Sequence, residues 1–248
     1  MLLIVVFYGV SLLPSAWLRI AGHDYSLPFV AWAHQSLTRY APPPILTEMA
    51  AQHLAVLLPE FLLSFLSSLV LMFSARQLTS KSISFGFSDG RTAIWIAGIV
   101  AVSWFADATI DFLDYSRGLI ETTSFFRPSC GGWVSIMRTT QSFAIFMLAL
   151  CLPVIVAPFF EEVMFRGFLY NACVPAWGVI AASLVSSALF SLAHWRIGMD
   201  LPIFIKYFAL GSLFFAARVR FQGIGVPIAA HIAVNASYSF DGLLRCST

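Results

Sequence analysis

Long apolar stretches separated by short polar segments run along the whole chain. A transmembrane helix needs about 20 mostly apolar residues, and seven stretches come close to that length or reach it. We therefore predict an all-α fold, a polytopic membrane helical bundle with about seven transmembrane helices, or about six to eight because the ends are poorly marked. The predicted spans are 2–18, 53–75, 93–113, 143–160, 176–194, 203–218 and 223–240.

The composition supports a membrane location. Hydrophobic residues make up 59% of the 248 residues and charged residues 10%, with a mean hydropathy of +0.85, whereas soluble domains carry about 25% charged residues. The net charge of +2 is too small to indicate a nucleic-acid partner. The first apolar run lacks the basic start and cleavage site of a signal peptide, so we expect a retained helix. We predict a multi-pass cell-membrane protein, with a prokaryotic inner membrane favoured.

The N-terminal part of the chain, residues 1–140, shows membrane-spanning segments but no recognisable chemistry. Residues 27–40 mix aromatic and polar side chains before three prolines, which predicts a short interfacial helix. The connection 114–141 contains a Gly-Gly pair and a proline, and we interpret it as a loop rather than a lid. The four cysteines show no CxxC spacing, so neither a disulfide framework nor a thiolate metal site is expected.

Two adjacent glutamates lie in a stretch that is apolar enough for the membrane interior. Glu161 and Glu162 are followed by Arg166, and a charged side chain at bilayer depth is costly unless it is paired or lines a wet cavity. On a helix, Glu162 and Arg166 have the spacing and order of an ion pair, whereas Glu161 is rotated away by about 100°. The pattern predicts a paired Glu162 and a Glu161 available for chemistry. The alternative is an interfacial helix start, where glutamates favour the positive dipole end.

Two further polar pairs interrupt later apolar helices. Phe190 and His194 share one helical face, as do His231 and Asn235. A single histidine such as His194 near a helix end is more often a residue at the membrane interface than a catalyst. Polar side chains such as His231 and Asn235 commonly hydrogen-bond a neighbouring helix. Together with the glutamates, they supply a carboxylate, two imidazoles and an amide within one bundle. This combination favours chemistry inside the membrane.

The three motifs E-E-x-x-x-R, F-x-x-x-H and H-x-x-x-N follow one another on successive hydrophobic helices, and they resemble the CPBP family. These are the CAAX prenyl-protease and bacteriocin-processing proteins, also called the ABI family. The resemblance covers roughly residues 145–240. It implies a catalytic core at 141–248 that follows the N-terminal helices of 1–140 in sequence, and both parts belong to one integral membrane domain. It implies a glutamate-dependent intramembrane protease whose partners are the lipid bilayer and a peptide or protein substrate with a membrane-associated segment.

The resemblance also implies the roles of four candidate catalytic residues. Glu161, assisted by His194, would activate a water molecule as general base. His231 and Asn235 would donate hydrogen bonds to the oxyanion of the tetrahedral intermediate. A carboxylate in a low-dielectric pocket is a stronger base than one in water, which suits this use of Glu161.

The remaining motif residues would support the site: Glu162 and Arg166 would brace the helix, and Phe190 would shape the cavity. No cofactor is implied. Glutamates and histidines can bind zinc, but the spacing is not HExxH and no third histidine lies one turn from His194 or His231. Zinc is therefore disfavoured.

A proton- or ion-coupled transporter is the main alternative function. Asp107, Asp111 and Asp114 fall on one face of the third predicted span, and Glu60 lies within the second; acidic stripes of this kind mark proton relays in pumps. The simpler explanation is that the third span emerges into water there, and no inverted repeat is visible. A non-catalytic immunity or scaffold relative of the same fold is a further alternative, although every motif residue is present.

Overall fold

The computed structural model of the protein describes residues 91–116, 132–194 and 201–246, together with 84–86, Gln35 and Leu66. Within these residues the chain forms helices and no strand. The elements are α1 (Thr92–Ser116), α2 (Gly132–Thr139), α3 (Phe143–Cys151), π1 (Leu152–Val156), α4 (Ala157–Glu162), π2 (Val163–Leu169), α5 (Tyr170–Ala193), α6 (Leu201–Phe221) and α7 (Gly225–Arg245). The predictions for 2–18, 27–40, 53–75 and Glu60 lie almost wholly outside the described residues.

Three described helices are long and apolar enough to cross a membrane: Thr92–Leu113, Phe143–Ala193 and Leu201–Phe221. Together they cover four predicted spans: 93–113, 143–160, 176–194 and 203–218. The predicted span 223–240 is also helical, as part of α7, but the polar side chains of α7 leave it outside this apolar group. The described residues thus confirm an all-helical protein with helices able to span a membrane, while the total of seven spans stays a prediction.

The run Phe143–Ala193 corrects the prediction that a span ends at residue 160. The chain stays helical there because two π-helical segments, π1 and π2, flank the short α4. Such segments inside α-helices are frequent at functional sites, because the extra residue in the turn re-aims the side chains that follow. Glu161 and Glu162 occupy the last turn of α4, so both glutamates lie between two interruptions of the regular helix.

α5 is broken at Gly178, which has φ +77° and ψ 170°. Glycine adopts this conformation without the strain that a Cβ atom would cause, and Pro175 just before it has no N–H to donate to the helix. Residues 170–177 therefore continue the helix from π2, whereas 179–193 form a separate helical segment. The predicted start of a span at residue 176 lies close to this break.

The connection before α3 corrects the prediction of a plain loop, because it contains the helix α2. Ile136 and Met137 of α2 are buried in a small apolar cluster that includes side chains of α3 and of the end of α7. Arg138 donates a hydrogen bond from Nη1 to the carbonyl oxygen of Leu243 at 3.0 Å. α2, just before the candidate core of residues 141–248, thus packs against the C-terminal end of that core.

The cysteines correct a further expectation. Cys246 is disulfide-bonded, with its partner outside the described residues, whereas Cys151 and Cys173 are free. A disulfide restricts the unfolded chain and so stabilises the folded one. The end of α7 is therefore covalently anchored, although no CxxC spacing marks this cysteine in the sequence.

The turn between α6 and α7 packs closely against the segment 84–86. The N–H of Ile224 donates a hydrogen bond to the carbonyl oxygen of Ser84 at 2.9 Å. A Cβ atom added at Gly223 would lie 2.5 Å from the backbone N of Gly86 and 3.0 Å from its Cα. Only a residue without a side chain fits at position 223 in this arrangement.

The variant Gly223→Ala is expected to lose about 1–3 kcal/mol of stability, because backbone atoms rather than a flexible side chain must move. The measurement is the apparent melting temperature, followed with a thiol-reactive dye at the buried Cys173. Gly98→Ala is the control, since a Cβ atom at that helical position meets no atom within 4 Å. Equal melting temperatures for the two variants would contradict the close packing of 84–86 on Gly223.

Candidate active site

The two glutamates of α4 point in different directions, as their positions on a helix require. The side chain of Glu162 is completely buried, whereas that of Glu161 is 29% exposed. The Oε2 atom of Glu161 is itself buried. One carboxylate therefore faces the core, and the other borders a partly open site.

Glu162 forms a buried ion pair with Arg166, in the geometry that the spacing predicted. Arg166 Nη1 donates to Glu162 Oε1 at 3.0 Å, and Nη2 donates to the carbonyl oxygen of Gly211 at 2.8 Å. The guanidinium carbon lies 4.7 Å from the ring centre of Phe190 and 5.3 Å from that of Phe214. A buried charge pair needs such additional hydrogen bonds to offset the cost of removing both charges from water.

Arg218, a buried residue of α6, contacts the backbone of π2. Its Nε donates to the carbonyl oxygen of Arg166 at 3.1 Å, and its guanidinium carbon lies 4.3 Å from the ring centre of Tyr170. The N–H of Tyr170 is directed at the carbonyls of Phe165 and Gly167, and the carbonyl between them, that of Arg166, accepts from the Arg218 side chain. This contact fixes the backbone just after the glutamates.

His231 of α7 contacts both glutamates. Its Nδ1 lies 2.9 Å from Glu162 Oε1, and its Nε2 lies 3.8 Å from Glu161 Oε2. An ionised carboxylate only accepts hydrogen bonds, so Nδ1 carries the proton and donates it to Glu162. The ring stacks on Phe214 at a centre-to-centre distance of 4.8 Å. His231 is thereby oriented with Nε2 facing Glu161.

His194 approaches the same carboxylate oxygen from the C-terminal end of α5. Its Nδ1 lies 2.9 Å from the carbonyl oxygen of Phe190, and its Nε2 lies 3.8 Å from Glu161 Oε2. Because a carbonyl only accepts, Nδ1 carries the proton here as well. The imidazole lies between two rings, with its centre 4.5 Å from that of Phe190 and 4.4 Å from that of Tyr207.

The site therefore has one carboxylate oxygen placed symmetrically between two imidazoles. Glu161 Oε2 is 3.8 Å from Nε2 of His194 and 3.8 Å from Nε2 of His231, which is longer than a direct hydrogen bond. A water molecule can bridge polar atoms separated by such a distance. In both neutral rings Nε2 is the nitrogen without a proton, so the three atoms together can take up a proton and pass it on.

Asn235 contacts the backbone of π1. Its Nδ2 donates to the carbonyl oxygen of Pro153 at 2.9 Å. In a π-helical register that carbonyl would accept from the residue five positions later, which is Pro158 and has no N–H. The amide of Asn235 supplies the missing donor and has one further N–H. The predicted oxyanion donor therefore also supports the helix that carries Glu161.

The acidic residues Asp107 and Asp111 belong to α1, a different helix from the one that carries the two glutamates. Asp107 forms an ion pair with Lys206 of α6, and Asp111 lies one turn further along α1. The side chain of Asp114 is outside the described part of the structure. The partner of Asp107 is a lysine rather than a second carboxylate, and nothing favours the transporter alternative.

Three residues around the site were not singled out in the sequence. Tyr207 stacks on His194, Lys206 pairs with Asp107, and the carbonyl of Gly211 accepts from Arg166. Their sequence signal is weak, since a lysine and a tyrosine near the start of an apolar helix resemble an ordinary interfacial anchor. Within the described residues, no group of three or more histidine, cysteine, aspartate and glutamate side chains is arranged to hold a metal ion.

Residues 141–237 match the family described as "Rce1-like: Type II CAAX prenyl endopeptidase Rce1-like". The matched range contains the glutamates, both histidines and Asn235. The predicted resemblance to the CPBP family of CAAX proteases is confirmed. The matched range is less than half of the chain, and the division into N-terminal segments and a catalytic core stays a prediction.

A relative in Bacillus subtilis (strain 168), described as "Putative membrane peptidase YdiL", is 35% identical to this chain over 81 residues. The match covers 33% of this chain and 32% of the relative, so the aligned part spans about a third of the relative's length. No solved structure matches the chain. The family match and this relative support the prediction of a membrane peptidase, and the activity, the reaction and the substrate follow as proposals.

Proposed function

We propose that this protein is an intramembrane endopeptidase. It hydrolyses a peptide bond near the end of a membrane-associated or exported substrate, in the manner implied by its CAAX-protease relatives. The observation that carries the proposal is the placement of Glu161 Oε2 at 3.8 Å from Nε2 of both His194 and His231. A carboxylate between two imidazoles, at the edge of a buried ion-pair network, suits the activation of water.

In the proposed reaction, Glu161 acts as general base with help from His194. A water molecule bound between them attacks the carbonyl carbon of the substrate, and its proton moves to Glu161. When the tetrahedral intermediate collapses, the carbon–nitrogen bond breaks and Glu161 returns the proton to the leaving amine. The two products are a new carboxyl terminus and a new amino terminus, and no covalent bond to the enzyme forms.

The oxyanion of the intermediate is stabilised by His231 and Asn235. Nδ1 of His231 already donates to Glu162, so Nε2 donates to the oxyanion only after it has taken up a proton from solvent before the attack. The Glu162 carboxylate is then the counter-ion of the imidazolium, which keeps this proton throughout the reaction. Asn235 uses one N–H for Pro153 and presents the other to the oxyanion. Donors fixed in advance cost no rearrangement during the reaction.

The variant Asn235→Ala is expected to lower kcat by about 10²- to 10³-fold, as the loss of one oxyanion donor does in other hydrolases. It is also expected to lower the melting temperature, because the carbonyl of Pro153 loses its donor. Cleavage rate and thermal unfolding measured on the same preparation separate the two effects. A lower melting temperature with an unchanged kcat would show that Asn235 acts on the helix alone.

The substrate is proposed to approach through the membrane. Glu161 and His194 are 29% and 23% exposed within the bundle, and α1, α3 and α5 present exposed apolar side chains such as Phe105, Phe143 and Ile180. A membrane-associated segment of a peptide or protein can therefore reach the site along a lipid-facing surface. We assign the protein to a cell membrane as a multi-pass protein, with a prokaryotic inner membrane as the proposed location.

The proposal is tested by comparing peptide termini in membrane and secreted fractions by mass spectrometry. Cells of the native host express either the wild-type protein or Glu161→Ala at equal level. Uncut precursors are expected to accumulate in the variant, and their missing termini identify both the substrate and the cleaved bond.

Asp111→Asn is the matched control, because it neutralises a membrane carboxylate that lies on α1 rather than on α4. It is expected to leave the termini as in the wild type. Identical termini in the wild type and in a folded Glu161→Ala would contradict the peptidase. Loss of proton-coupled uptake in Asp111→Asn, with no cleavage in any strain, would favour the transporter.

A further inference from the structure

The start of α6 reaches the candidate site through an aromatic ring. Tyr207 lies against the imidazole of His194, with ring centres 4.4 Å apart and an angle of 19° between the planes. The opposite contact is Phe190, at 4.5 Å and 43°. The imidazole is therefore held between two rings, of which only Phe190 comes from its own helix.

His194 lies at the C-terminal end of α5, just after its last residue, Ala193. Its backbone caps the helix, with φ −95° and ψ −1°, and Nδ1 makes one hydrogen bond to the carbonyl of Phe190. The hydrogen bond at Nδ1 fixes one atom of the ring, and by itself it allows rotation about the line through that atom. A ring stacked on the face of the imidazole restricts this rotation, and the direction of Nε2 towards Glu161 depends on it.

Lys206, next to Tyr207 in sequence, anchors this turn of α6 to two other helices. Its Nζ forms an ion pair and hydrogen bond with Asp107 of α1 and lies 4.8 Å from the ring centre of Tyr238 of α7. The hydroxyl of Tyr238 is in turn hydrogen-bonded to that of Ser103 at 2.6 Å. The side chain of Lys206 is 13% exposed, so the pair is shielded from solvent more than an ordinary surface pair.

We propose that Tyr207 is a positioning residue for His194, and that the Asp107–Lys206 ion pair holds Tyr207 in place. This inference rests on the proposed function. It gives Asp107, which the sequence offered as a candidate proton carrier, a role in the geometry of the peptidase site. Tyr207 acts through His194 and does not take part in proton transfer.

The kinetic test compares Tyr207→Leu with Tyr207→Phe in the purified full-length protein, using a precursor peptide identified from the cellular termini. Loss of the ring is expected to lower kcat by about 10- to 100-fold, as small misplacements of catalytic groups do, with KM unchanged. Tyr207→Phe keeps the ring and is expected to restore kcat. Phe208→Leu is the matched control, because that ring stacks on Phe204.

A second readout does not depend on cleavage. The ring proton resonances of His194 are assigned by comparison with His194→Gln, in protein labelled at histidine and held in lipid nanodiscs. Tyr207→Leu is expected to shift these resonances downfield, because the shielding ring is lost, whereas Tyr207→Phe is expected to leave them in place. Asp107→Asn and Lys206→Met are expected to shift them in the same direction to a smaller extent, and they carry the test if Tyr207→Leu does not fold.

The two readouts separate this inference from the proposed function. Shifted His194 resonances in Tyr207→Leu would support the positioning contact. If neither the wild-type protein nor any variant cleaved the peptide, the peptidase would be refuted while the contact still held. Unchanged resonances and an unchanged kcat in Tyr207→Leu would overturn the positioning role while leaving the peptidase intact. A loss of kcat equal to that in Phe208→Leu would also overturn it.

Discussion

Replacing Glu161 with glutamine lowers kcat for peptide cleavage by about 10²- to 10⁴-fold while the protein stays folded. Glutamine has nearly the same shape as glutamate, but it cannot accept the proton of the attacking water. The Glu161 side chain is 29% exposed, so replacing it does not remove the partner of a completely buried charge. The measurement is kcat at saturating substrate together with the melting temperature of the same preparation.

The control for this prediction is Asp241→Asn, which removes a carboxylate from α7 that belongs to none of the three motifs. Asp241 pairs with the exposed Arg245, and an exposed ion pair contributes little to stability. Its kcat is expected to equal that of the wild type. A kcat for Glu161→Gln within tenfold of the wild type would remove Glu161 from the reaction.

Replacing Arg166 with methionine destabilises the protein by about 3–5 kcal/mol, because the completely buried carboxylate of Glu162 loses its partner. The substitution also removes the hydrogen bond to the carbonyl of Gly211. Because His231 donates to the same carboxylate, the orientation of its ring changes as well, and cleavage falls. The measurement is thermal unfolding followed at the buried Cys173.

A double-mutant cycle tests whether the effect comes from the ion pair. The combination Glu162→Gln with Arg166→Met removes both charges, so it is expected to be more stable than Arg166→Met alone. Glu162→Gln alone is expected to be less stable than the wild type, since Arg166 then keeps a buried charge. Strictly additive losses would mean that the two side chains stabilise the fold independently.

Local spacing was enough to predict the pairs that lie within one helix. The four-residue separation of Glu162 and Arg166 predicted an ion pair, and their hydrogen bond of 3.0 Å is present. The same reasoning placed His194 one turn after Phe190. These contacts depend on helix geometry alone, and that geometry is the same in any apolar helix.

The helix ends were harder to predict, because distant residues decide them. We predicted a span that ends at residue 160, but the chain continues as a helix through π1 and π2, across the prolines at 153 and 158. Asn235, far along the chain, satisfies the carbonyl of Pro153, and Arg218 satisfies that of Arg166. A sequence window around the prolines contains neither donor.

The contacts between helices were not predicted for the same reason. Asp107 and Lys206 are 99 residues apart in sequence, and an aspartate near a helix end is more simply explained by exposure to water. The sequence does not indicate a role for Tyr207, because its contact with the His194 ring depends on how α5 and α6 pack. The sequence identified the residues to which we assign the proposed chemistry, whereas the residues that orient them are defined by the packing of α1, α5, α6 and α7.

The most direct test of the account is cleavage by the purified protein alone in lipid nanodiscs. The protein is treated with a metal chelator, its metal content is measured, and it is incubated with the precursor peptide identified from cellular termini. The account predicts cleavage at the rate of the untreated protein and loss of cleavage in Glu161→Gln. Cleavage abolished by the chelator and restored by zinc would contradict the account, because the water would then be activated by a metal ion.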